Sequence, residues 1–204
     1  SKTMYNHGIH GVQDMCNLLA RNGKPFVIEA GHWQKSDVLK RVARRAIAAR
    51  MASALMRARV GLIGKPFRGM GDFVVPHVLL KRALGLTVVQ GSGAAFQRAM
   101  QSVKGSAIEE ELASDGRRFL AAEVDRTAHR RSVHVGLAVR QWIERERLTA
   151  WTVNFLDVCR KNGLCAVPFL EAGKTMARGI GYAGEGDVLT AAFTGAIMRA
   201  YPQT

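Results

Sequence analysis

The chain has 204 residues, 48% hydrophobic and 23% charged, an ordinary globular composition that excludes a disordered or fibrous protein. Its formal net charge of +14 fits either a nucleic-acid surface or arginines on solvated helix faces that meet an acidic partner segment. No aromatic residues interleave as stacking platforms with Arg41, Arg44, Arg45, Arg50, Arg57 and Arg59, or with Arg117, Arg118, Arg126, Arg130 and Arg131, which favours the second account.

The length predicts a single domain over residues 1–204 with a real core. Cys16, Cys159 and Cys165 form neither an even framework nor a CxxC pair, so a reduced, cytoplasmic protein is expected. The start shows no apolar leader segment, and the longest apolar run, around Leu189 to Met198, is too short to span a bilayer.

Near the start, His7 and His10 stand three apart among glycines, a spacing open to a metal pair, but no third ligand stands at motif spacing and a loop before a helix from about Val12 is the preferred reading. Val12, Met15, Cys16 and Leu19 then form a helical stripe that Asn22-Gly23 ends. Residues 26–30 read as a short strand leading to Gly31-His32-Trp33. A residue just past a strand's carboxyl end is where open α/β sheets place ligands, so His32 is either a polar ligand contact or a histidine satisfied by backbone. Ser36 or Asp37 caps a helix through Leu55, its arginines away from its apolar face.

Residues 60–64 read as a second strand, followed by a basic glycine-rich loop, Lys65 to Asp72, that matches neither the P-loop nor the dinucleotide fingerprint. A helix over Phe73 to Leu84 stops at Gly85, and residues 86–90 give a third strand. Helices follow from Gly93 to Val103 and from Ser106 to Ala113, then a long charged helical stretch from Gly116 to Arg147 with a possible break at Gly136. Residues 150–154 are the fourth strand, and a helix from Pro168 to Arg178 precedes the glycine-rich loop Gly179-Ile-Gly181-Tyr-Ala-Gly184-Glu185-Gly186-Asp187. Asp187 caps the last helix, Val188 to Ala200. Glu185 is then either an exposed bystander in a capping turn or a carboxylate presented as metal ligand or general base. Alternating strands and helices predict an α/β fold, a Rossmann-like layered and largely parallel sheet with helices on both faces.

With these pieces placed, the chain resembles the L-fucose/L-arabinose isomerase-like family. The carrying residues are His10-Gly11, Gly31-His32-Trp33, Val60 to Gly64 with Gly69-Met70-Gly71-Asp72, Trp151-Thr-Val-Asn-Phe155, and Gly181-Tyr-Ala-Gly-Glu185-Gly-Asp187. The resemblance implies a metal-dependent aldose–ketose isomerase in which Glu185 binds a divalent metal, commonly Mn2+, and takes part in proton transfer. It also implies that His32 contacts the sugar at a subunit interface of a homo-oligomer and that Phe155 lines the sugar site. The family's second acidic ligand and its ligand histidines fall after Thr204, so residues 180–204 are expected to lead toward a missing catalytic region and the chain to be an inactive fragment or truncated form. A non-catalytic sugar-binding or regulatory relative is the alternative, and a nucleic-acid-binding α/β protein ranks behind both.

Overall fold

The computed structural model describes residues 8–71, 73–119, 123–158 and 163–202. His7, Asp72 and Cys159, singled out in the sequence, lie outside them. The chain divides into two compact units, Ser1–Ala46 and Ile47–Thr204.

In the first unit, helix α1 runs Gly8–Arg21 and stops where Gly23 takes φ 61°, as the Asn22-Gly23 pair predicted. Residues 26–30 correct the sequence reading, since they are not a strand. A strand needs a neighbouring ladder, and here side chains take that role. Arg41 Nη2 donates to the Ala30 carbonyl at 2.7 Å, while Glu29 is held by Arg41 at 2.7 Å and Arg45 at 3.1 Å. Val27 and Ile28 are 62% and 61% exposed. Helix α2, Val38–Met56, carries the chain out of this unit into the next.

The second unit is built on a sheet of β1 (Arg59–Ile63), β2 (Thr87–Gly91), β3 (Ala150–Val153) and β4 (Gly181–Gly184), ordered β2-β1-β3-β4 with every pair parallel. Helices α3 (His77–Leu84), α4 (Gly93–Ser102), α5 (Gly105–Arg118), α6 (Arg126–Arg145), α7 (Phe169–Ala177) and α8 (Val188–Ala200) surround it. The predicted α/β class, with its parallel sheet and helices on both faces, is the observed one.

Side-chain alternation along β1 builds both layers. Val60 and Leu62 join Leu80 of α3 and Val188, Ala191 and Ala192 of α8 in one core. On the other face Ile63 meets Trp151 and Val153 of β3, Phe96 of α4, and Val139 and Trp142 of α6. Each fully buried large apolar side chain contributes about 1.5–3 kcal/mol of transfer free energy.

Strand β4 is the second departure. Its glycines read as a loop, yet Gly181 is what lets the strand form under α8. A Cβ at Gly181 would lie 2.3 Å from the Gly195 amide nitrogen and 2.4 Å from the Ala191 carbonyl oxygen. The long charged stretch from Gly116 to Arg147 holds only the end of α5 and the whole of α6, and α6 is unbroken through Gly136, which packs against the Glu171 side chain.

A buried charged network ties α5, α6 and α7 together. Arg140 reaches Glu111 and Glu171, each at 2.8 Å, and Lys174, almost wholly buried, reaches Glu111 at 2.7 Å and Asp115 at 2.5 Å. Arg140 and Lys174 hold the Glu111 carboxyl down at about 2.

Candidate active site at the carboxyl edge of the sheet

Because the strands are parallel, the carboxyl ends of β1, β3 and β4 share one edge. The chain leaves β1 for β2 on one side, and β3 lies on the other. That arrangement opens a crevice at the topological switch point, where open α/β sheets bind ligands.

Three loops meet there and are tied to each other by hydrogen bonds, most of them between a side chain and backbone. Asn154, just past β3, donates from Nδ2 to the Lys65 carbonyl at 2.7 Å and accepts from the Leu156 amide at 3.0 Å. The Lys65 amide donates to Asp157 Oδ2 at 3.1 Å. Past β4, the Thr152 hydroxyl accepts from the Gly186 amide and donates to the Gly184 carbonyl, each at 3.1 Å. The Phe67 amide donates to the Glu185 carbonyl at 2.9 Å. Gly186 has φ 83°, and a Cβ there would sit 2.5 Å from Pro66 Cα, so the acidic loop and the β1 loop touch backbone to backbone.

These bonds hold Glu185 at φ 65°, a left-handed conformation unfavourable for a residue with a Cβ. Its half-buried side chain lines a cavity of about 480 Å³ together with Phe155, Phe169, Tyr182, Gly184 and Asp187. Phe155 anchors the aromatic wall, edge-on to Phe67 at 5.1 Å and to Phe169 at 6.2 Å between centroids. Asp187 is committed elsewhere: its Oδ1 accepts the Thr190 amide at 2.9 Å as the predicted N-cap of α8. A larger cavity, about 690 Å³, opens beside α5 and α6. Its carboxylate Glu109 is already paired with Arg130.

The structure thus brings Glu185 and Phe155 to one cavity. His32 belongs to the first unit, in a turn where its Nδ1 accepts the Gln34 amide at 3.1 Å and the Lys35 amide at 3.3 Å. In the neutral ring that leaves the proton on Nε2. The loop contacts of Thr152 and Asn154 escaped the sequence reading. So did Tyr182, whose place on a strand would have been signalled only by reading Gly181–Gly184 as extended. Among the described residues no group of three or more His, Cys, Asp or Glu side chains is placed to hold a metal ion.

Residues 78–201 match the family model of the L-arabinose isomerase central domain. The chain belongs to the L-arabinose isomerase central-domain family. The matched stretch contains Phe155, Tyr182 and Glu185. An L-arabinose isomerase of Herpetosiphon aurantiacus is 27% identical over 198 residues, 94% of this chain and 39% of that protein. One from Lactiplantibacillus plantarum is 26% identical over 200 residues, 95% of this chain and 41% of its own length. One from Thermotoga petrophila is 24% identical over 197 residues, covering 94% and 38%. The chain therefore spans about two fifths of the L-arabinose isomerases it matches. These matches name the arabinose side of the wider fucose/arabinose resemblance. No helix among the described residues is long and apolar enough to cross a membrane.

Proposed function

We propose that this chain forms the central part of an aldose–ketose isomerase acting on a small sugar of the L-arabinose kind, with Glu185 as its proton-transferring carboxylate. The observation that carries this reading is Glu185 itself, held at φ 65° by loop hydrogen bonds and facing a cavity walled by Phe155 and Phe169. Backbone strain of this kind persists where the surroundings over-determine it, and it clusters at functional sites. Family membership and the L-arabinose isomerase relatives support the reaction class.

The chemistry is a balanced proton shift. A carboxylate removes the proton from the sugar carbon beside the carbonyl, and the released electron pair forms the carbon–carbon double bond of an ene-diol as the carbonyl oxygen gains a proton. The neighbouring hydroxyl then gives up its proton to become the ketone, and the proton held on the carboxylate is returned to the former carbonyl carbon. Nothing is oxidised or reduced overall. Phe155 and Phe169 line one side of the cavity, and a sugar bound against them would be screened from water on that side, which would strengthen the electrostatic interactions of the ene-diol intermediate.

In the same proposal Glu185 offers one oxygen donor to a divalent cation such as manganese, which would stabilise the developing oxyanion charge. The described residues do not by themselves make a fitting site for that ion, and the proton shift above is derived without it. His32, with Nε2–H as a donor, is proposed as a sugar contact supplied within a homo-oligomer.

The test is Glu185→Gln in the intact enzyme, assayed for conversion of L-arabinose to its ketose with manganese present. Loss of a general base costs about 10²–10⁴-fold in rate, and the melting temperature should stay near that of the wild type. Near-normal turnover in the folded variant would return the loop to a purely capping role. Sugar binding without turnover in the wild type would favour the non-catalytic relative.

A further inference from the structure

Tyr182 stands at the second position of β4, its ring 4.7 Å from that of Trp151 on β3 and tilted by 56°. The two aromatic neighbours differ in their polar atoms. Trp151 Nε1–H donates to Thr175 Oγ1 at 3.0 Å, and that hydroxyl donates onward to the Ala172 carbonyl at 2.9 Å. The Tyr182 hydroxyl is also buried, yet it has no hydrogen-bond partner among the described residues. Burial pushes the phenol up to about 12, so it remains a neutral O–H, able both to donate and to accept.

An unpartnered buried hydroxyl is a standing cost to the fold, and phenylalanine would fill the same space without it. Nothing in the packing around Trp151 uses the oxygen. Tyr182 does line the cavity that holds Glu185, Phe155 and Phe169. That cavity is rich in aromatic carbon, and the Asp187 carboxylate in it is already occupied by helix capping. A polyol entering it has few groups with which to orient its hydroxyls; Tyr182 lines it, and a turn of the ring would present its unpartnered oxygen there.

We propose that Tyr182 is a specificity-determining residue of this pocket, its hydroxyl hydrogen-bonding one hydroxyl of the bound sugar. The inference rests on the sugar-isomerase reading above and adds the group that reads one carbon position of the substrate. A site built to pair with a ligand hydroxyl discriminates against the analogue lacking it, because the protein group is then left unpaired. Tyr182 would supply that discrimination at a single position. It is not required for the proton shift, so its loss acts on KM more than on kcat.

The experiment is Tyr182→Phe in the full chain, titrated calorimetrically with L-arabinose and with its monodeoxy analogues, alongside thermal melts without sugar. The variant should melt at or above the wild-type temperature, since a buried unpartnered group is removed. Its affinity for L-arabinose should fall about 3- to 10-fold, the range expected for one net hydrogen bond. Wild-type protein should reject one monodeoxy analogue by a similar factor, and the variant should not distinguish that analogue from L-arabinose. Wild-type protein that binds sugar while the variant keeps both its affinity and its selectivity overturns this inference and leaves the sugar-site reading standing. A lowered melting temperature with unchanged binding also overturns it, by assigning the hydroxyl to the fold. Wild-type protein that binds no sugar removes the sugar-site reading itself, and this inference with it.

Discussion

Replacing Glu185 by glycine should stabilise the apo protein while abolishing its proposed activity. At φ 65° the Glu185 Cβ crowds its own backbone, at a cost of about 1–2 kcal/mol for an L-residue in the left-handed region. Glycine removes that cost but adds about 0.5–1 kcal/mol of unfolded-state freedom. The net gain therefore spans about 0–1.5 kcal/mol, centred on about 0.5–1 kcal/mol. The hydrogen bond from the Phe67 amide ends on the Glu185 carbonyl, which glycine retains. No ion pair or side-chain hydrogen bond of Glu185 occurs among the described residues, so little is lost in exchange. For a chain of this size one kcal/mol moves the melting temperature by about 2–4 °C, so a rise of about 1–4 °C is expected by calorimetry. Urea unfolding should show a higher midpoint at an unchanged slope. Glu185→Gln keeps the strained backbone and serves as the control, with stability within about 0.5 kcal/mol of wild type. A Glu185→Gly variant that melts below wild type would refute the reasoning, because the carboxylate would then be holding the fold rather than being held by it.

Two further outcomes follow from the packing and the charges. Gly181→Ala should destabilise by about 1–3 kcal/mol, the usual cost of overpacking, because its Cβ meets backbone atoms of α8; equilibrium denaturation measures it, and a neutral result would mean α8 shifts freely over β4. Glu111, lowered from an ordinary value of 4.5 to about 2 chiefly by its hydrogen bonds with Arg140, contributes stability fully present above pH 4.5 and lost as the pH falls through about 2. Arg140→Met should therefore move the acid-unfolding midpoint to higher pH, read by circular dichroism against pH, and an unmoved midpoint would show that Lys174 alone holds the carboxylate.

Much of the molecule was legible locally. Helical periodicity located α2, α4, α7 and α8 within a few residues, because an amphipathic stripe and its stop signals are properties of a short stretch of chain. The Asp187 cap and the Gly23 stop were readable for the same reason: a cap bonds to its own next turn. The apolar runs that became β1 and β3 are buried on both faces, as inner parallel strands are, while the edge strand β2 is only half-buried, and the α/β class followed from their alternation with helices. The acidic loop could be singled out, though its carboxylate kept two readings, a bystander in a capping turn or a ligand and base.

The remaining features depended on partners far away in sequence. Residues 26–30 have the composition of a strand, but no neighbouring ladder forms there, and arginine side chains from α2 take up Glu29 and the Ala30 carbonyl instead. Gly181–Gly184 has the composition of a loop, but Thr149 to Val153 supply a ladder, and α8 demands residues without a Cβ. A strand is a relation between two segments, and one segment's composition cannot decide it. The same holds for the site. Glycine spacing marked Glu185, but its strain comes from a loop more than a hundred residues earlier in the chain, through Pro66 and Phe67. Tyr182 carried no local signal, because what distinguishes it is a hydroxyl left without a partner, and only the tertiary packing decides which buried groups are satisfied.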